Sequence, residues 1–290
     1  MYGCYNLKRF LHLLFLDAII ISICSVFFFL GKNLLSSAGN KDDSVFLPVI
    51  MYHSVYGDTP SEYIVTPEQL ENDLSWLKKN NYSTVTAEQV ISYTKGKGSL
   101  PEKCVMITLD DGFYNNLSVL LPLLEKYDMT ALVSIVGSYT ENNAVLDPHN
   151  SNYSYLTWED ITELKESGRI ELGNHTYNMH SLKGERIGCS KNENETEDDY
   201  RKNLSEDILK LQNSFYENIN SAPVVFTYPF GRVSRESLPV IRENGFLMTL
   251  TCRELPNYIT HDPDCLYGIG RYNRNGLYST EEYMSKLFTE

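Results

Sequence analysis

The chain has 290 residues, 42% of them apolar, 12% aromatic and 22% charged, with a formal net charge of −13. That length suits one large domain with a substantial buried core, and the apolar content excludes a disordered chain. The acidic balance argues against nucleic acid, a polyanion that selects basic surfaces, and suits a neutral or cationic partner.

Residues 1–9 end in Lys8 and Arg9, a basic flank expected to stay in the cytoplasm. Phe10 to Leu30 is an apolar stretch of 21 residues, interrupted by His12, Asp17, Ser22 and Ser25. That is the length of a helix crossing roughly 30 Å of hydrocarbon. Asp17 costs insertion about 3 kcal/mol at mid-membrane, which the Ile- and Phe-rich run Ile19–Leu30 offsets. Ser36-Ser37-Ala38 offers a small-residue cleavage site, and cleavage there would make the protein secreted. The apolar run exceeds an ordinary signal core, so residues 10–30 are read as a single-pass membrane anchor with the remainder outside the cytoplasm. Residues 31–45, small and polar over Ser36–Ser44, read as a linker, and 46–290 as the folded domain. Six cysteines, at 4, 24, 104, 189, 252 and 265, show no metal-finger or disulfide-framework spacing.

Short apolar runs then alternate with helical patterns. Expected strands are Pro48–Tyr52, Val105–Leu109, Ala131–Val136, Ile170–Gly173, Val224–Tyr228, Phe246–Thr251 and Leu266–Gly270. Their lack of polar alternation is that of parallel strands buried on both faces. Thr66-Pro67-Glu68-Gln69 reads as a capping box with proline at the first helical position, followed by Leu70, Leu74 and Leu77 on one face. Thr157-Trp158-Glu159-Asp160 opens a helix that ends near Gly168. Leu204, Ile208, Leu211 and Phe215 make a third apolar stripe, and Leu238, Ile241 and Gly245 a fourth helix with a glycine stop. Lys183–Asp199 is polar and reads as a surface loop. This βαβα order implies an α/β fold with a mostly parallel sheet, as a closed barrel or an open doubly wound sheet.

Chemistry-bearing residues collect at the C-terminal ends of these strands, the edge where such folds form active sites. Pro48–Tyr52 ends in His53, Val105–Leu109 in Asp110-Asp111-Gly112, Ile170–Gly173 in Asn174-His175 with His180 five residues on, and Val224–Tyr228 in Pro229-Phe230-Gly231. Adjacent strand residues face opposite ways, so both aspartates reach one centre only if the chain turns at Gly112. His175 and His180 lie apart on a helix and on opposite faces of a strand, so they share a metal only if 176–179 form a loop. Together these groups make a His-His-Asp site with open positions, suited to zinc or another divalent transition metal, cobalt and nickel included. A solvated Asp-Asp-Gly turn and two unrelated histidines are the structural alternatives.

Thr108-Leu-Asp-Asp-Gly112 resembles the T-F-D-D-G motif of the polysaccharide deacetylases, the nodulation-deacetylase-like carbohydrate esterases. Pro48–Ser54 and Leu100–Thr108 are similar to the family's approach to that motif, His175-Thr-Tyr-Asn-Met-His180 to its second motif and Tyr228-Pro-Phe-Gly231 to its third. The resemblance runs from about Phe46 to at least Gly231. It implies a distorted (β/α) barrel of seven or eight strands and metal-dependent removal of N-acetyl groups from an N-acetylglucosamine-containing polysaccharide at the cell surface. It implies Asp110 as general base, Asp111, His175 and His180 as metal ligands, and the backbone N–H near Phe230 as oxyanion donor. Histidines five apart, against the commoner four, are similar to the branch acting on biofilm poly-N-acetylglucosamine. The chain departs from the family in having Thr227 and Tyr228 where an arginine usually precedes the proline, with Arg271 the candidate replacement beside Asp110. It also departs in its later motifs, which leaves His53 as the candidate general acid and His261 as runner-up. A catalytically impaired polysaccharide-binding module of the same fold is the alternative these departures keep open.

Overall fold

In the computed structural model, residues 44–142, 147–184 and 186–288 are described. The anchor read over 10–30 lies outside the described residues, as does most of the linker. Among the described residues no helix is long and apolar enough to cross a membrane.

Nine strands form one all-parallel sheet: β1 (Val49–Tyr52), β2 (Ser83–Thr84), β3 (Cys104–Leu109), β4 (Ala131–Ile135), β5 (Ile170–Asn174), β6 (Val225–Thr227), β7 (Met248–Leu250), β8 (Tyr267–Ile269) and β9 (Tyr272–Asn273). The order is β8-β7-β6-β5-β4-β3-β1-β9, with β2 also on β3. The count exceeds the expected seven or eight because β2 and β9 have two residues each, too short to register as apolar runs. The edge strands β8 and β9 are neighbours in the chain, separated only by Gly270 and Arg271. A flat sheet cannot place its two edges that close together, so the sheet curls into an incomplete barrel whose unpaired edges approach at Gly270-Arg271.

Strand parity then sets what faces where. On one face Ile50 and Tyr52, Ile107 and Leu109, and Val133 and Ile135 pack against helices. On the other, Val49, Met106, Leu132, Val225 and Met248 form a second apolar cluster inside the curl. Above that layer the inner positions turn polar: Thr108 Oγ1 donates to the Ile50 carbonyl at 2.8 Å, and the Ser134 and Thr227 hydroxyls lie 2.7 Å apart. Asp110 continues the parity of Met106 and Thr108 and so points inward at the top.

The α-helices among the described residues are α1 (Pro67–Lys79), α2 (Ala87–Thr94), α3 (Leu121–Tyr127), α4 (Gly137–Asn142), α5 (Trp158–Glu166), α6 (Glu197–Ile219), α7 (Ser237–Glu243) and α8 (Thr280–Phe288). The expected boxes at Thr66–Gln69 and Thr157–Asp160 both form, satisfying N–H groups that a helix start leaves unpaired. The α6 stripe of Leu204, Ile208, Leu211 and Phe215 is fully buried, each side chain contributing roughly 1.5–3 kcal/mol relative to exposure. The loop read as Lys183–Asp199 ends three residues early, where Thr196 caps α6. It is not wholly a surface segment, because Cys189 within it is fully buried and its carbonyl accepts from Tyr200 Oη.

Candidate active site

The acidic pair follows β3 directly. Asp111 has φ 72° and Gly112 φ 71°, so the chain turns left-handed through both residues. Most side chains avoid that conformation at a cost of about 1–2 kcal/mol, and aspartate tolerates it better than most. The turn begins one residue earlier than expected, at Asp111 itself, and this brings both carboxylates to the barrel mouth. Thr176 (φ 71°) and Phe230 (φ 55°), after β5 and β6, are also left-handed. Three of the six left-handed non-glycine residues among the described residues therefore sit at this edge of the sheet, where strain at functional sites is commonly found.

Asp111 Oδ1 lies 3.1 Å from His180 Nε2 and 3.7 Å from His175 Nε2. The three ligand atoms all fall within 4.8 Å of one another. The other nitrogen of each ring is committed elsewhere. His175 Nδ1 lies 2.7 Å from the Thr227 carbonyl, and His180 Nδ1 lies 3.1 Å from Tyr139 Oη. Tyr139 in turn donates to the His180 carbonyl at 3.2 Å. A proton on each Nδ1 leaves both Nε2 lone pairs facing Asp111, the tautomer a metal requires. Burial pushes the His175 imidazole down to about 4 against the pull of the nearby carboxylates, so it is neutral at pH 7. Burial raises the Asp111 carboxyl, and His180, His175 and His53 in their protonated forms outweigh it, leaving it below its ordinary value.

These residues fit a divalent ion. Asp111 Oδ1 is buried with no hydrogen-bond partner, an arrangement that is costly unless a cation satisfies the oxygen. Ligands about 2.0–2.2 Å from a tetrahedral ion stand roughly 3.3 Å apart, close to the two Asp111–histidine separations of 3.1 and 3.7 Å. Two imidazoles and one carboxylate, with positions left open, suit zinc or a neighbouring transition metal.

Asp110 is held differently. Arg271 grips it with both arms, Nη1 to Oδ1 and Nη2 to Oδ2, each at 2.7 Å. The guanidinium is fully buried and also donates through Nε to the Thr251 carbonyl at 2.9 Å. Burial alone would raise the Asp110 carboxyl, but Arg271, with His175 and His53, overrides it and holds the group well below the usual carboxylate range. Arg271, the candidate replacement for the arginine absent before Pro229, is thus the residue paired with Asp110.

His53 and Phe230 line the same cleft of about 780 Å³ as Asp110, Asp111, His175 and His180, a volume within the usual range of small-molecule sites. His53 Nδ1 is buried without a hydrogen-bond partner, and its ring packs edge-on to Tyr63 at 5.0 Å. Behind it Asn115 accepts the Val55 N–H at 3.1 Å and donates to Ser54 Oγ at 2.8 Å, fixing the turn after β1. The Phe230 ring packs on His180 at 4.4 Å. His261 is elsewhere: its Nδ1 meets the Tyr93 carbonyl at 2.9 Å and its ring packs on Tyr93 at 4.5 Å, outside the cleft. Spacing alone could not exclude it, because its loop returns to α2 rather than to the barrel mouth.

Sequence reasoning missed several residues around the site. Tyr139 carries no local signal. Tyr63 and Tyr278, about half exposed at the cleft, lie in segments without periodicity. Asp73 and Arg274 form a second buried pair, Nε to Oδ2 at 2.7 Å, and Arg274 also donates to the Asn275 and Tyr278 carbonyls, bracing one wall of the cleft.

Residues 97–249 match the family model described as polysaccharide deacetylase. The chain is 25% identical over 222 residues to a poly-β-1,6-N-acetyl-D-glucosamine N-deacetylase of Escherichia coli K12, covering 70% of this chain and 33% of that protein. It is 25% identical over 202 residues to the Staphylococcus epidermidis protein of the same name, covering 70% of this chain and 65% of the other. The chain thus spans about a third to two thirds of the length of these curated relatives. A solved de-N-acetylase from Aggregatibacter actinomycetemcomitans superposes with a TM-score of 0.69 at 24% identity, covering 84% of this chain and 100% of that one, and so shares the fold. The family match spans more than half the chain and contains the acidic pair and both histidines, so this protein is a member of the polysaccharide deacetylase family.

Proposed function

We propose that the chain hydrolyses N-acetyl groups of an N-acetylglucosamine-containing polysaccharide, using a divalent transition metal, zinc before cobalt or nickel, held by Asp111, His175 and His180. The observation that carries this reading is the convergence of those three ligand atoms beside Asp110 and His53 in one cleft. The names of the curated relatives support the polymer class.

An ion bound there would lower the pKa of water and polarise the acetyl carbonyl. Asp110 takes the proton of the attacking water as general base. Arg271 lowers its basicity but fixes both carboxylate oxygens, so orientation is gained at the expense of proton affinity. The backbone N–H near Phe230 stabilises the developing oxyanion. His53 protonates the leaving nitrogen as the C–N bond breaks, giving acetate and a free amine. Phe113, Phe230 and Tyr63 give the cleft an aromatic wall against which a sugar ring can pack.

We place this reaction outside the cytoplasm, supported by Lys8 and Arg9 ahead of the apolar stretch Phe10–Leu30. Protease treatment of whole cells tests the placement, and a protected domain contradicts it. For the chemistry, acetate release from N-acetylglucosamine oligomers is measured with the zinc- or cobalt-loaded chain and with Asp110→Asn, His175→Ala and His53→Ala. Each variant should lose at least roughly 100-fold in kcat, the scale of a general acid or base. Equal release by wild type and variants ends the enzymatic reading. A His53→Ala variant with wild-type kcat removes His53 as the acid.

A further inference from the structure

The loop carrying both histidines is shaped by a residue that stands outside the cleft. After β5 the chain passes Thr176 in its left-handed conformation, and Thr176, Tyr177 and Asn178 present three consecutive N–H groups. Each has an anionic or carboxamide acceptor. Thr176 donates to Asn174 Oδ1 at 2.9 Å, Tyr177 to Asp207 Oδ1 at 2.7 Å, and Asn178 to Asp207 Oδ2 at 2.9 Å. From the opposite side Gly137 and Ser138, opening α4, donate to the Thr176 and Tyr177 carbonyls at 3.1 and 2.7 Å. Asp207 sits mid-way along α6 between Leu204, Ile208 and Leu211, all fully buried, so the core fixes its backbone.

We propose that Asp207 is a positioning residue for the metal centre: by gripping residues 177 and 178 it sets where His180 Nε2 stands relative to His175 and Asp111. This rests on the metal reading given above. The physical need follows from the five-residue spacing. Neither helix nor strand can bring the two rings together, so the connecting loop has no ladder of its own to define its shape. Successive N–H groups bent into a concave arc favour an anion, and bonds to an ionised acceptor are roughly twice as strong as neutral ones. The outer side of the loop is fixed to the same helix. Lys210 Nζ lies 3.6 Å from the Tyr177 ring centroid, and Tyr177 Oη donates to Glu141, which also accepts from Ser214 on α6.

Cobalt affinity and the visible spectrum of the cobalt-loaded chain test this without any substrate. Asp207→Asn is nearly isosteric but turns an N–H donor toward one of the two loop amides. It should weaken cobalt binding roughly 10- to 100-fold, as removal of a supporting partner does, and shift the ligand-field bands. In a His180→Ala background the same substitution should change affinity less than about twofold, because its effect passes through His180. A residue that only stabilises the fold would cost the same in both backgrounds, and that result overturns the proposal. So does wild-type affinity and spectrum in Asp207→Asn. Should that variant not fold, Asp207→Glu, which keeps the anion but displaces it by one methylene, carries the same comparison. A wild-type chain that binds no cobalt counts against the metal centre itself, whereas tight binding unchanged in both variants counts against Asp207 alone.

Discussion

Replacing Arg271 with methionine removes the charge that pairs with Asp110 while keeping an unbranched, largely apolar side chain. Arg271 is 0% exposed and Asp110 2%, and two bonds of 2.7 Å join them. Removing one partner of such a pair leaves the other as an uncompensated buried charge, at a cost of about 3–5 kcal/mol. A domain of this size loses about 2 °C of Tm per kcal/mol, so Arg271→Met should melt roughly 6–10 °C below wild type. The decisive variant is the double one. Asp110→Asn with Arg271→Met removes both charges, and it should recover at least half of the lost stability, because most of the cost of the single change lies in the stranded carboxylate. The measurement is calorimetric or urea unfolding of the full chain in a chelator, so that metal binding does not mask the difference. A single variant within about 1 kcal/mol of wild type refutes the reasoning, as does a double variant no more stable than the single one.

Other outcomes follow from the same geometry. Chelation should abolish acetate release and zinc or cobalt should restore it, while metal at 100 times its Kd should add about 2.7 kcal/mol to unfolding; full activity after exhaustive chelation contradicts the site. Gly276→Ala would place a Cβ 2.1 Å from the Ile64 carbonyl oxygen and 2.8 Å from that of Ser61, forcing apart two segments of the cleft wall. Its KM should rise several-fold with cobalt affinity unchanged, and an unaltered KM argues against that wall as a substrate surface. Burial pushes the Cys104 and Cys189 thiols up to about 11 and about 12. At pH 8 only about one in 1,000 Cys104 thiols is ionised and fewer for Cys189, so both should resist a thiol reagent until urea is added; rapid labelling of either residue in the native chain, mapped by peptide, contradicts this.

What this sequence determined by itself is local. Apolar runs without alternation marked seven of the nine strands, and Thr66–Gln69 and Thr157–Asp160 marked helix starts, because runs and caps depend on neighbours a few residues apart. The strand ends at His53, Asp110, His175 and Phe230 were legible for the same reason: in a parallel sheet every strand delivers its last residues to one edge. Tertiary structure decided the rest. The left-handed turn at Asp111 is held by packing around Gly112, whose Cβ position would lie 2.9 Å from Ile135 Cδ1. The approach of the two edges at Gly270-Arg271 depends on the curl of the eight strands that run from one to the other, and it alone carries Arg271 to a carboxylate 161 residues away. His261 lost any claim to the cleft, and Asp207 and Tyr139 gained places around the histidines, because such contacts join segments whose separation along the chain leaves no periodic trace. Local chemistry placed the reactive groups at one rim, and the curvature of the sheet decided which of them meet.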